Sequence, residues 1–311
     1  MHGSLKTSLI TGNNFDALRL IGALLVVFSH QFALSGRWEP RFVGNHSFGN
    51  LGVLIFFSIS GYLVTASWMN DPHLGRFAVR RLARLLPALA VAMPCTFAIV
   101  SALGLLGFPD NAHHKLNGSL WTIPFEVACY VLLALMGSIS SRPALWLAIA
   151  ISTSFAITGL QTGTSFIAYF GLFFGMGALL RTYPCLSRPL VSVLFCVVAC
   201  ALIAINQTKL GLAFIVPPLT IAVGRQSWPL LRSAGRLGDL SYGIYIYAWP
   251  VQQITVALLG SDTSYFGLLS VSLPMTVVLA YLSWHLVEKV ALRHKPAPPR
   301  AKAAVDIEVA T

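Results

Sequence analysis

Apolar residues along this chain come in blocks of membrane length, separated by short polar stretches that hold nearly all of the charge. The blocks fall at roughly 15–34, 49–69, 82–106, 119–137, 143–160, 165–180, 189–206, 210–224, 240–260 and 265–288. Most approach the ~20 residues that a helix needs to cross a hydrocarbon layer of about 30 Å. The pattern predicts an all-α, polytopic membrane bundle of about ten transmembrane helices. The block at 210–224 is short and contains Pro217 and Pro218, which points to a re-entrant or broken helix. Residues 1–293 are expected to form one membrane domain, and 294–311, rich in Pro and Ala, a disordered tail. No internal repeat stands out.

Charge gives the bundle a direction. Only 10% of the 311 residues are charged, against about 25% in a soluble domain. If the N-terminus is cytoplasmic, sixteen of the 21 lysines and arginines lie on the cytoplasmic side, four lie outside, and Arg19 sits within the first block. This bias puts both termini in the cytoplasm. It also accounts for the net charge of +11 without a nucleic-acid partner. The first residues lack the apolar core and cleavage site of a signal peptide. The five cysteines, Cys95, Cys129, Cys185, Cys196 and Cys200, lie in or near apolar blocks without a CxxC pair. They read as buried free thiols, with neither a metal site nor a disulfide framework.

Polar residues inside the apolar blocks are the candidate chemistry, because a charge there is costly and usually marks a site. The first block, NFDALRLIGALLVVFSH, carries Asp16, Arg19 and His30. Eleven residues advance a helix by about 1100°, three turns plus roughly 20°, so Arg19 and His30 leave the same face about 16 Å apart. Asp16 can pair with Arg19 three residues on. The bland alternative is an ion pair with no further role and an imidazole that anchors a helix end. Arg76, Arg80, Arg81 and Arg84 precede the third block; they either grip phosphate or anchor the helix on anionic lipid.

Glu126 in SLWTIPFEVACY is expected within about 5 Å of the depth of His30, counting helical rise from the outer surface, and could orient the imidazole. Pro124 should kink or break that helix, and Trp121 suits an interfacial ring. Ser58, Ser60 and Gly61 would allow close helix approach or leave room for a ligand. Tyr242 and Tyr245 could line a cleft with their hydroxyls, whereas His285 and Glu288 are expected to pair structurally.

Together these stretches resemble the acyltransferase 3 family of membrane-bound acyltransferases. The resemblance rests on Arg19-x10-His30 in the first block, GVLIFFSISGYLVT, RFAVRRLARLLPAL with its RxxR, SLWTIPFEVACY, and LGDLSYGIYIYAWPV, in that order. LVEKVALR is similar to the family's closing segment, and 138–230 is generic apolar helix. Ala248 departs from the pattern, where many members carry a histidine, so a two-histidine mechanism is in doubt. The likeness is to the stand-alone form, without a fused esterase-like domain.

The resemblance implies transfer of an acyl group, most often acetyl, from cytoplasmic acyl-coenzyme A to a hydroxyl of an extracytoplasmic carbohydrate or glycolipid, in the bacterial inner membrane. It would need no metal. A separate extracytoplasmic transferase or polysaccharide assembly proteins are possible partners. Arg19, Arg81 and Arg84 would hold the donor. His30 would act as general base or carry the acyl group itself, with Glu126 beside it. Asp16, Ser60, Trp121, Tyr242 and Tyr245 would support substrate or structure. The competing class is a transporter or flippase, in which Arg19 binds an anion and His30 or Glu126 moves protons.

Overall fold

The computed structural model describes residues 13–104, 116–140, 142, 144–147, 149–151, 166–232, 238–294 and 296. The long helices are α1 (Phe15–Leu34), α2 (Phe48–Asn70), α3 (Leu74–Ala102), α4 (Ile123–Ile139), α5 (Phe166–Thr182), α6 (Pro189–Ala204), α7 (Thr208–Gly224), α8 (Ser241–Leu259) and α9 (Tyr265–Ser283). A small antiparallel hairpin, β1 (Arg41–Val43) and β2 (His46–Ser47), joins α1 to α2. Among the described residues, five helical stretches are long and apolar enough to cross a membrane: Phe15–Leu34, Phe48–Asn70, Leu74–Ala102, Leu120–Ile139 and Tyr265–Arg293. The chain is an all-α membrane protein. Most of the block expected at 143–160 lies outside the described residues, as do residues 1–12 and nearly all of the expected tail.

Caps explain several helix starts. Ser47 Oγ accepts from the Asn50 amide at the head of α2, and Ser264 Oγ accepts from Gly267 at the head of α9; such side chains satisfy amides left over in a first turn. Asn14 ties the start of α1 to the end of α7. Its Nδ2 donates to the Val223 carbonyl at 3.1 Å, its backbone N–H to Gly224, and its Oδ1 accepts from the Trp228 amide.

Four expectations need correction here. The segment with Pro217 and Pro218 is not broken: it is a continuous helix packed against α2, α5 and α6. Pro124 does not kink α4. It lies in the first turn, where its missing N–H has no intrahelical partner to lose. Of the cysteines only Cys129 is buried; the other four are exposed, Cys95, Cys196 and Cys200 on outward faces of apolar helices and Cys185 in a turn between two helices. Finally, His285 and Glu288 do not pair. A π-helical turn, Trp284–Glu288, follows α9. Glu288 is buried on Ser283 Oγ, while His285 is half-buried against the Tyr281 carbonyl.

The core is centred on α2, which packs against α1, α4, α5 and α7. Phe170, Phe173 and Phe174 of α5 fill its middle. The backbones of α2 and α5 nearly touch: a Cβ on Gly61 would collide with the Phe174 carbonyl, and one on Gly177 with the Ser58 carbonyl. Both obstacles are main chain, so neither can swing aside. Gly61→Ala is therefore expected to destabilise the protein by about 3 kcal/mol, the upper end of ordinary overpacking costs. Thermal unfolding in detergent would measure this, and an unchanged midpoint would contradict the packing described.

Candidate active site

Polar side chains gather at two levels of the bundle, and α1 connects them. The first level surrounds Arg19. Its guanidinium pairs with Asp16 on the same helix and, at 3.1 Å, with Asp239 just before α8. Arg84 of α3 pairs with the same Asp239 carboxylate, which also accepts from Ser241. Burial works to raise the Asp239 carboxyl, but Arg19 and Arg84 hold it well below the usual carboxylate range.

A cavity of about 140 Å³ opens beside this network. Arg19, Arg81 and Arg84 line it with Ser60 of α2, Glu126 and Tyr130 of α4, and Tyr242 and Tyr245 of α8. Glu126 Oε1 accepts from Ser60 Oγ at 2.7 Å and from the Tyr130 hydroxyl. The Arg81 guanidinium lies over the Tyr130 and Phe77 rings, 5.9 and 5.8 Å from their centroids. Among the described residues it makes no ion pair, only a long contact to Ser67 Oγ.

The four arginines therefore do not act as one cluster. Asp71, buried between α2 and α3, takes Arg76 through two hydrogen bonds and Arg80 at 2.6 Å. Arg76 and Arg80 hold its carboxyl well below the usual range. Charge sequestered by Asp71 serves the α2–α3 corner, and Arg81 and Arg84 are left to face the cavity.

The second level surrounds His30, near the other end of α1. Its ring meets the Trp249 indole of α8 edge to face, 4.9 Å between centroids. Arg19 and His30 thus reach the start and the middle of the same α8 stretch, as their shared face requires. His30 Nδ1 is buried without a hydrogen-bond partner. Behind it, Gln252 Nε2 donates to the Val27 carbonyl and to Gln31 Oε1, which also accepts from Ser272.

Residues 117–122 run between the two levels, inside the bundle. Pro250 has no N–H to give the Ile246 carbonyl one turn earlier. Asn117 Nδ2 donates to that carbonyl instead, at 2.7 Å. Gly118 lies flat against Trp249, where a Cβ would come within 2.6 Å of ring carbons. Tyr245 donates to the Ser119 carbonyl at 2.6 Å and lies 2.6 Å from Thr122 Oγ1. Thr122 in turn lines the Arg-rich cavity.

This path corrects the expected position of Glu126. Ser29 bonds Ser47 and the Phe28 ring meets Phe48, so His30 is level with the start of α2. Glu126 bonds Ser60, twelve residues further along α2, or about 18 Å by helical rise. It belongs with Arg19, and no hydrogen bond joins it to His30 among the described residues. Because 117–122 already lie inside, the fourth helix does not start at the surface from which its depth was counted. Trp121 lies outside the cavity, packed on Phe125, Phe166 and Phe170 and 40% exposed. Asn117, Trp249, Gln31 and Gln252 went unassigned in the sequence. Pro250, four residues past a carbonyl that it must leave unpaired, was the available signal for Asn117.

The family described as "Acyltransferase domain" matches residues 13–285. An O-acetyl transferase of Shigella phage Sf6 is 30% identical, over 89% of this chain and 95% of that protein. Nodulation protein 10 of Rhizobium leguminosarum bv. viciae is 28% identical, over 90% of this chain and 93% of that protein. No solved structure matches the chain.

Proposed function

Since the chain belongs to the acyltransferase 3 family and is a multi-pass membrane acyltransferase, we propose that it moves an acyl group, acetyl first, from cytoplasmic acyl-coenzyme A to a hydroxyl of an extracytoplasmic carbohydrate. The observation that carries this reading is the division of labour along α1. A cavity lined by arginines lies at one end, and an imidazole whose Nδ1 is buried and unpartnered lies about 16 Å away at the other. The charge bias between the polar stretches supports a cytoplasmic position for the arginines, and the reading takes the membrane to be the inner one, with about ten crossings and both termini inside.

In this reading the nucleotide end of the donor meets Arg81 first. Asp16 and Asp239 already neutralise Arg19 and Arg84, whereas Arg81 keeps its charge for phosphate. Glu126 Oε1 is occupied by Ser60 and Tyr130, and its second oxygen accepts from no described residue. It can accept an amide N–H of the pantetheine arm, a role that replaces the orientation of His30. The arm then follows α1, past Thr122, and brings the thioester to His30. There the neutral imidazole takes the proton of the acceptor hydroxyl as its oxygen attacks.

Inside-out vesicles test the proposal. Acyl-labelled acetyl-CoA is supplied outside, with envelope glycan in the lumen. The expected result is CoA release with label in the lumen. Arg81→Gln should raise KM for acetyl-CoA about tenfold or more, the value of a hydrogen bond between charged groups, and leave kcat nearly intact. No CoA release by the wild type would favour a transporter.

A further inference from the structure

The interior around His30 contains more unpaired polar atoms than packing alone explains. Buried indole N–H groups normally find a partner, yet Trp249 Nε1 has none, with the residue only 6% exposed. The Ser119 hydroxyl is also unpartnered, with the residue 1% exposed, and so is His30 Nδ1. The three belong to one place. The Trp249 and His30 rings touch, and Gly118, next to Ser119, covers the six-membered ring of the indole along Cη2, Cζ2 and Cε2.

The indole is also held firmly. Gly118 leaves no room for it to move toward 117–122, and Asn117 fixes that segment to the Ile246 carbonyl one turn earlier on the helix that carries Trp249. A rigid, dry N–H beside a base is the arrangement that stabilises a developing oxyanion, because no reorganisation is needed as the charge appears.

We propose that the Trp249 indole N–H is a catalytic hydrogen-bond donor to the carbonyl oxygen of the acyl thioester. The inference rests on the acyl-CoA reading above. The acceptor hydroxyl oxygen adds to the thioester carbon, and its proton passes to His30. The carbonyl π electrons move onto oxygen, where the Trp249 N–H meets them. When the carbonyl re-forms, the carbon–sulfur bond breaks. CoA leaves as a thiolate and takes the proton from His30. Ser119 is close enough in sequence to Gly118 to share the same rim, but the role is assigned to Trp249 alone.

Trp249→Phe keeps an aromatic ring against His30 and Gly118 and removes the donor. Expected is a fall in kcat of about 10²-fold, the usual effect of losing one such donor. KM for acetyl-CoA and the thermal midpoint should be unchanged. A purely packing role would instead lower the midpoint and spare kcat in the folded fraction. A second readout does not depend on that variant. In His30→Ala, which binds without turning over, ¹³C-carbonyl acetyl-CoA should show a thioester stretch at lower frequency than in water. An unshifted carbonyl there, or a Trp249→Phe kcat within about twofold of wild type, overturns the assignment and leaves the acyl-CoA reading intact. If the wild type releases no CoA at all, both fall.

Discussion

His30→Ala is expected to reduce acyl transfer by about 10²- to 10⁴-fold, the range attributed to a positioned general base, while the protein remains folded and still binds donor. Its surroundings support this split. Among the described residues His30 makes no hydrogen bond through Nδ1 and contributes one ring contact, to Trp249. Little structure therefore depends on the imidazole. The donor's anionic end would bind about 16 Å away near Arg81, so KM for acetyl-CoA should move little. Steady-state CoA release together with a thermal melt would separate the two effects. A His30→Ala enzyme that transfers acyl groups at the wild-type rate would remove His30 from the chemistry.

Asp239→Ala should have the largest effect on stability, about 4 kcal/mol, because it leaves largely covered cations without their counter-charge. The loss falls mainly on Arg84. Arg19 keeps Asp16, whereas Asp239 is the only carboxylate paired with Arg84 among the described residues. Removing Arg84 in the same chain should therefore restore part of the stability, which a double-mutant cycle would measure. Wild-type stability in the single variant would show the network to be ornamental.

The pH dependence follows from the sign of the shift. The folded Asp239 carboxyl titrates below its unfolded value of about 3.9. Its contribution is complete above that pH and is lost as pH falls through the folded value. Asp239 should therefore add no slope to stability between pH 5 and pH 9, and acid unfolding should begin below about pH 4.

Helical period was the strongest information in the sequence. The placement of Arg19 and His30 on one face needed only the 3.6-residue repeat, and both side chains meet the α8 stretch, at Asp239 and Trp249. The cavity's Arg19, Arg81, Arg84, Tyr242 and Tyr245 were likewise visible as polar groups in apolar runs. The failures came where the backbone departs from a surface-to-surface helix. Glu126 was misplaced because 117–122 lie inside the bundle, held by Tyr245 and Ile246. Its distance from the start of the apolar run was therefore not its depth. The arginine cluster was read as a unit because sequence spacing cannot reveal that Asp71, across a short corner, would claim Arg76 and Arg80. His285 and Glu288 were paired by a 3.6-residue rule that a π turn does not obey.

The segment before α4 also sets an order of assembly during synthesis. Its anchors come from far downstream. Asn117 waits for Ile246, 129 residues later, and Ser119 for Tyr245, 126 residues later. At about 5–20 residues per second the ribosome needs roughly 6 to 26 s to supply them. For that interval the nascent chain holds a side-chain amide and a backbone carbonyl without these partners, which hydrocarbon cannot satisfy and which the insertion machinery must shelter. The floor beneath His30 is consequently among the last parts of the enzyme to close. A ribosome that stalls before α8 releases a chain whose first helices are inserted but whose interior beside His30 cannot close, a ready substrate for membrane quality control.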